Sequence, residues 1–315
     1  MTVGRAAPHT SRVVLLGPQD VRQTLPEVVR ELGLSGTVAT VTAGWRDSES
    51  EDEELQEQLA GRAAHLRLWE RTEELFAADE ALRAAYRERQ DRLRALQGVY
   101  RIQLAHALEA LRELMAAEGA RDILDPARAQ ALEALRKLDL QHRERIRALH
   151  EGFELSWGPS ERDSVRQQRA EIERQVEQSS AIVIAGGHVL VLLNRMRLLG
   201  LDEMLMDKPV IAWSAGAMAL AEQVVVFHDS PPQGRGDAEV IEVGLGLVRG
   251  VLPLPHARSR LAIHDPARMS IFARRFAPLI CVPMDEGARL DLARGELKSG
   301  AGLSRVAPDG ALESF

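Results

Sequence analysis

An α/β fold, with a mostly parallel sheet covered by helices on both faces and a large all-helical insertion, is predicted by three features of the sequence. Short β-branched runs alternate with amphipathic segments over residues 12–45, and the same texture resumes over 181–292. Between them, residues 47–178 are rich in Glu, Arg, Leu and Ala and hold only two prolines, Pro126 and Pro159. Alternation of strand and helix places a parallel sheet between helical layers, whereas the middle segment has no strand texture to contribute. The expected organisation is therefore an α/β domain made of 1–46 and 179–315, with a helical hairpin or small bundle over 47–178.

Taken in order, "RVVLLG" reads as a buried strand, "DVRQTLPEVVRELG" as an amphipathic helix stopped by glycine, and "GTVATVTAG" as a second strand. In the middle segment, Leu93, Leu96, Tyr100, Leu104, Leu108, Leu111 and Met115 recur at spacings of three and four, which makes one helical stripe. The spacing predicts a break at "GARDILDPARAQALEAL", with Asp125 as N-cap and Pro126 in the first turn. Leu132, Leu135, Ile146, Leu149 and Phe153 form a second stripe, and "WGPSERD" a second break with Ser160 and Asp163 at capping-box spacing. Thereafter "AIVIAGG", "KPVIAW", "QVVVF", "GVLPLP" and "PLICVPM" are apolar runs between helices or loops.

Composition narrows the function classes. With 315 residues and 45% apolar content the chain can bury a substantial core. A net charge of −7 argues against a mainly electrostatic grip on nucleic acid. Cys281 is the single cysteine, which excludes an intrachain disulfide and a thiolate zinc cluster. The opening "MTVGRAAPHTSR" lacks the apolar core of a secretory signal, and no uncharged run is long enough to span a bilayer, so a cytoplasmic protein is expected.

The chemistry-bearing stretch is "KPVIAWSAGAMALAE", residues 208–222. It places Ser214 between a strand and a helix of small residues, the arrangement of a nucleophile elbow. A serine that N-caps a helix is also a common structural device. The Ala215 N–H at the helix start is a potential oxyanion donor. A serine needs a base. His65, His106, His142 and His150 fall in the polar helical segment and are expected to be solvated, and His9 lies in the N-terminal tail. His188, His228, His256 and His264 remain. Of these, His256 follows the strand "GVLPLP" and should emerge where open α/β sheets gather their sites. Asp229 after "VVVF" and Glu286 in "VPMDEGARL" are the available acids.

"AGGHVLVLLNRMRLLGLDEML", "KPVIAWSAGAMALAE", "VLPLPHARSRLAIHD" and "ICVPMDEGARLDL" occur in that order. Together they resemble the S51 serine peptidases, the group of aspartyl dipeptidase and cyanophycinase, built on a class I glutamine-amidotransferase-like fold. The resemblance covers 181–292 well and 12–45 weakly. It implies Ser214 as nucleophile, His256 as base, and Glu286 as the orienting acid, with Asp229 as the alternative acid. It also implies Gly187, beside Gly186, as the second oxyanion donor with Ala215. Where the family has Asn or Gln after the glycines this chain has His188, which bears on substrate contact. Arg258, Arg260 and Arg268 lie close to His256 in sequence and could bind a substrate carboxylate.

The function so implied is hydrolysis of a peptide or isopeptide bond of a small peptide, with Asp-containing peptides as candidate substrates, through an acyl-enzyme and with no metal or organic cofactor. The expected partner is that peptide, with neither nucleic acid nor membrane. A homodimer through the insertion or the α/β domain is a further expectation. The alternative is a catalytically silent binding or regulatory protein whose insertion contacts a partner. An α/β-hydrolase esterase is disfavoured because Asp229 stands too close to Ser214 and Glu286 follows the histidine. A glutaminase is disfavoured because serine replaces its cysteine.

Overall fold

The structure, a computed structural model, describes residues 12–205, 208–227, 236–301 and 303–314. Its strands are β1 (Val13–Leu16), β2 (Val38–Val41), β3 (Ala63–His65), β4 (Ile182–Ile184), β5 (Val210–Trp213), β6 (Gln223–Val226) and β7 (Glu239–Val243). They continue with β8 (Val251–Pro255), β9 (Ile280–Met284), β10 (Arg289–Ala293), β11 (Glu296–Ala301), β12 (Ser304–Val306) and β13 (Leu312–Ser314). The helices are α1 (Leu25–Glu31), α2 (Glu53–Gln58), α3 (Leu68–Ala78), α4 (Glu80–Ala116), α5 (Arg121–Trp157) and α6 (Asp163–Glu177). After them come α7 (Val189–Leu198), α8 (Leu201–Met204), α9 (Ala215–Leu220), α10 (Ala257–Arg260) and α11 (Pro266–Phe276).

A seven-stranded sheet in the order β11-β10-β1-β5-β4-β2-β3 forms the centre. Five neighbouring strands, β1, β5, β4, β2 and β3, run parallel, and β10 and β11 close one edge antiparallel. β1, β2, β4 and β5 are buried throughout, as strands covered on both faces must be. One apolar cluster on the sheet joins Val13, Leu15, Ile182, Ile184 and Val210 to α3, α6 and α7; a second joins Val14, Leu16, Val183 and Ile211 to α1 and α2. The α/β expectation holds, and the parallel strands end on a common edge.

Several local expectations are corrected. β3 lies inside the segment expected to be wholly helical, because "AAH" has no β-branched residue to mark it. "QVVVF" and "GVLPLP" do not enter the central sheet: β6 pairs with β7, and β8 pairs parallel with β9. α5 begins at Arg121 with Ala120 as its N-cap, so Pro126 sits inside the helix and Asp125 caps nothing. The helix tolerates that proline because residues 121–123 are exposed, leaving water to satisfy the carbonyl it deprives of a partner. At the second break Gly158 takes the left-handed conformation, a short 3₁₀ turn follows, and neither Ser160 nor Asp163 caps α6.

α4 and α5, each 37 residues and about 55 Å long, form an antiparallel hairpin. Its Tyr100, Leu104, Leu108, Leu111 and Leu135 pack with Val225, Phe227, Val240 and Leu252 and with Met269 and Phe272 of α11. A buried polar cluster pins it there. The Arg275 guanidinium donates to both Asp139 oxygens, from Nε at 2.7 Å and Nη2 at 2.8 Å, to the Tyr100 hydroxyl at 2.8 Å, and to the Ala238 carbonyl at 2.7 Å. Tyr100 in turn donates to Asp139 Oδ1 at 2.7 Å. His142 stacks on Tyr100 with ring centroids 3.9 Å apart, and His150 meets buried Glu242 at 3.0 Å. The solvated reading of the insertion histidines therefore fails for both, and also for the half-buried His65; His106 is exposed as expected. An isolated histidine letter carries no sign of the partner that a distant strand or helix supplies.

Candidate active site

β5 runs between β1 and β4 and delivers Ser214 at its C-terminal end. Ser214 adopts φ 49°, ψ −118°, a pair that costs a non-glycine residue about 1–3 kcal/mol. The helix that follows, α9, is buried over its whole length, and every side chain in it except Met218 and Leu220 is alanine or glycine. Smallness is required there: a Cβ on Gly216 would stand 2.9 Å from the Ala185 carbonyl oxygen. The tight turn thus lifts the hydroxyl clear of the sheet, as the elbow reading expects.

His256 follows β8 with φ 54°, ψ 36°, and its N–H donates to the Met284 carbonyl of β9 at 3.2 Å. This reversal points the imidazole back over the sheet edge, where Nε2 lies 3.4 Å from Ser214 Oγ. Two residues 42 positions apart are brought together by the junction of the central sheet and the β8–β9 pair. Burial holds the imidazole pKa below its ordinary 6.5; the Arg260 charge lowers it further, against the opposing pull of Asp20, Asp285 and Glu286. The neutral ring is the form favoured near pH 7.

The remaining expected residues divide. Gly187, at φ 108°, lies with Gly186 and Ala215 in the cleft wall beside Ser214. Glu286 is exposed and makes no hydrogen bond to His256; its charge acts on the ring through space. Asp285 is engaged elsewhere, accepting from the Arg258 N–H at 3.0 Å. Asp229 and His228 lie outside the described residues. His188 caps α7, its Nδ1 accepting from the Val191 N–H, and does not line the cleft. Arg258 is 83% exposed and pairs with Asp285, and Arg268 donates to the Gly236 carbonyl at 2.8 Å; neither lines the cleft. His264 is exposed, while the neighbouring Asp265 caps α11.

The cleft over Ser214 has a volume of about 400 Å³. Asp20, Trp45, Glu54, Trp213 and Arg260 are among its walls, and Arg260 is the one cation among the described residues that line it. Sequence reasoning singled out neither Asp20, Trp45 nor Glu54. The signal for the first two was their position just past β1 and β2, at the same sheet edge as Ser214. No residue of 79–157 lines the cleft. Instead the hairpin backs one wall, since Phe227 faces the cleft and belongs to the apolar cluster of Tyr100 and Leu104.

A model of peptidase family S51 matches residues 104–299. No curated protein matches the chain. Among solved structures, the crystal structure of a peptidase from an acI-B1 Actinobacterium superposes with a TM-score of 0.47 and 13% identity, covering 96% of this chain and 93% of that one.

Proposed function

The chain belongs to peptidase family S51 and is a peptidase-like hydrolase; from that premise we propose that it is a serine peptidase acting on small peptides through Ser214 and His256. The observation that carries the reading is the 3.4 Å approach of Ser214 Oγ to His256 Nε2 inside the cleft. With Nδ1 protonated, Nε2 takes the Ser214 proton as Oγ attacks the substrate carbonyl carbon. The oxyanion so formed accepts from the Gly187 and Ala215 N–H groups. Collapse breaks the carbon–nitrogen bond, and His256 passes its proton to the departing amine. Water, deprotonated by the same nitrogen, then releases the acyl group from Ser214. Glu286 stabilises the transient imidazolium, with Asp229 as the alternative acid.

A cleft of about 400 Å³ suits a peptide of two or three residues. Arg260 lines the cleft whereas Arg258 and Arg268 do not, and a guanidinium there supports binding of a substrate carboxylate and so an Asp-containing peptide. A fluorophosphonate is expected to label wild-type protein at Ser214 and to leave Ser214→Ala unlabelled. Folded wild-type protein that resists labelling refutes the reading and leaves a binding protein on a peptidase fold, an alternative favoured by the missing hydrogen bond between Glu286 and His256. Turnover of N-terminal Asp or β-aspartyl dipeptides tests the substrate class; no hydrolysis across such a panel rejects it.

A further inference from the structure

We infer that the 3₁₀ turn Ala43–Ser48, acting through Gly44, is a positioning element that locks the oxyanion loop 186–188 with its donor facing Ser214. The inference rests on the serine-peptidase reading. The turn follows β2, whose neighbour in the sheet is β4, so the ends of both strands stand side by side. Across that gap the His188 N–H donates to the Gly44 carbonyl at 2.8 Å. The bond fixes the peptide on one side of Gly187, and with it the direction in which the loop presents its remaining N–H.

The packing is as close as backbones permit. A Cβ on Gly44 would stand 2.5 Å from the Gly186 carbonyl oxygen and 3.1 Å from the His188 nitrogen. Gly44 is not in left-handed backbone, so space alone demands its glycine. From the other side, a Cβ on Gly187 would fall 3.0 Å from Gly44 Cα. The turn that brings Gly44 there is itself strained: Arg46 has φ 61°, ψ −124°, nearly the conformation of Ser214. Strain of this kind persists where surrounding structure imposes it, and it clusters at functional sites. Trp45, the next residue after Gly44, lines the cleft, so the same turn touches both the substrate space and the oxyanion loop.

The test is the kinetics of fluorophosphonate labelling, because phosphonylation of the serine places an oxygen on the same donors. Losing an oxyanion donor costs about 10²–10³ in rate. Gly44→Ala is expected to lower the maximal labelling rate about 10²-fold while the inhibitor's half-saturating concentration and the pH inflection due to His256 stay in place. His188→Pro removes the donated N–H together with the imidazole cap of α7, at a position whose φ of −83° proline can approach, and is expected to lower the maximal rate about 10-fold or more. His188→Ala, which loses the cap but keeps the N–H, should label near the wild-type rate. The proline variant serves if Gly44→Ala does not fold. Gly98→Ala, with nothing within 4 Å of the added methyl, is the control and should label like wild type. Folded Gly44→Ala or His188→Pro protein that labels at the wild-type rate, or that loses only half-saturation, overturns the inference. Wild-type protein that is not labelled at all overturns the peptidase reading beneath it, which is a separate result.

Discussion

Lowering the pH from 7 to 4.5 should destabilise the fold by about 2–3 kcal/mol through His142 alone. The ring stacks on Tyr100 with an interplanar angle of 5°, and its Nε2 lies 2.9 Å from Gln97 Oε1. That bond requires the proton on Nε2, so Nδ1 is bare; it is buried and has no hydrogen-bond partner. Protonation would put a charge at that buried position. Burial lowers the pKa to about 4 from 6.5, against the opposing pull of Asp139, the Val240 backbone and Glu242, with the Arg145 charge adding to the lowering. The unfolded chain takes up the proton below about pH 6.5 and the folded chain only near pH 4, so stability falls as the pH drops through that window. His142→Phe keeps the stack and removes the titration. It should cost about 1 kcal/mol at pH 7.5 for the lost hydrogen bond, yet exceed wild type at pH 4.5 by about 1–2 kcal/mol. Urea unfolding midpoints measured from pH 4.5 to 7.5 would show the two curves crossing. Parallel curves would refute the argument that the buried Nδ1 governs this response.

Asp139→Ala strands the Arg275 guanidinium, whose side chain is 2% exposed, and should lose about 3–5 kcal/mol in urea unfolding; a loss under about 1 kcal/mol would mean that the ion pair does not anchor the hairpin. Ser214→Gly relieves the φ 49° backbone and should raise stability by about 1 kcal/mol while abolishing labelling, readable from a denaturation midpoint beside a labelling gel. The labelling rate of wild type should fall with acid through an inflection below the ordinary histidine value of 6.5. Arg260→Gln should move that inflection to higher pH, because the Arg260 charge helps to hold the imidazole neutral; an unmoved inflection would remove Arg260 from the ring's field.

The strand-rich halves and the helical middle were legible because each has a local period that declares itself within ten residues. The corner serine was legible for the same reason: strand, serine and small-residue helix are contiguous. The buried state of His142 and His150 was not legible, because its cause is a contact with a residue on another helix or strand. Nor was the departure of β6 and β8 from the central sheet, since an apolar run looks alike whichever partner it pairs with. Arg258 and Arg268 were placed near the histidine by sequence distance; the path of α10 and α11 turns both away and leaves Arg260 in the cleft.

The sequence by itself determined the α/β class, the helical interruption and the elbow at Ser214, because propensity, periodicity and turn chemistry act over a few neighbouring residues. Only the tertiary structure decided that His256 reaches Ser214, that Glu286 stays unbonded to that ring, and that Gly44 presses on the loop 186–188 beside Ser214. Those relations depend on which strand ends share an edge. That is fixed by the burial of whole faces across hundreds of residues, not by any short segment.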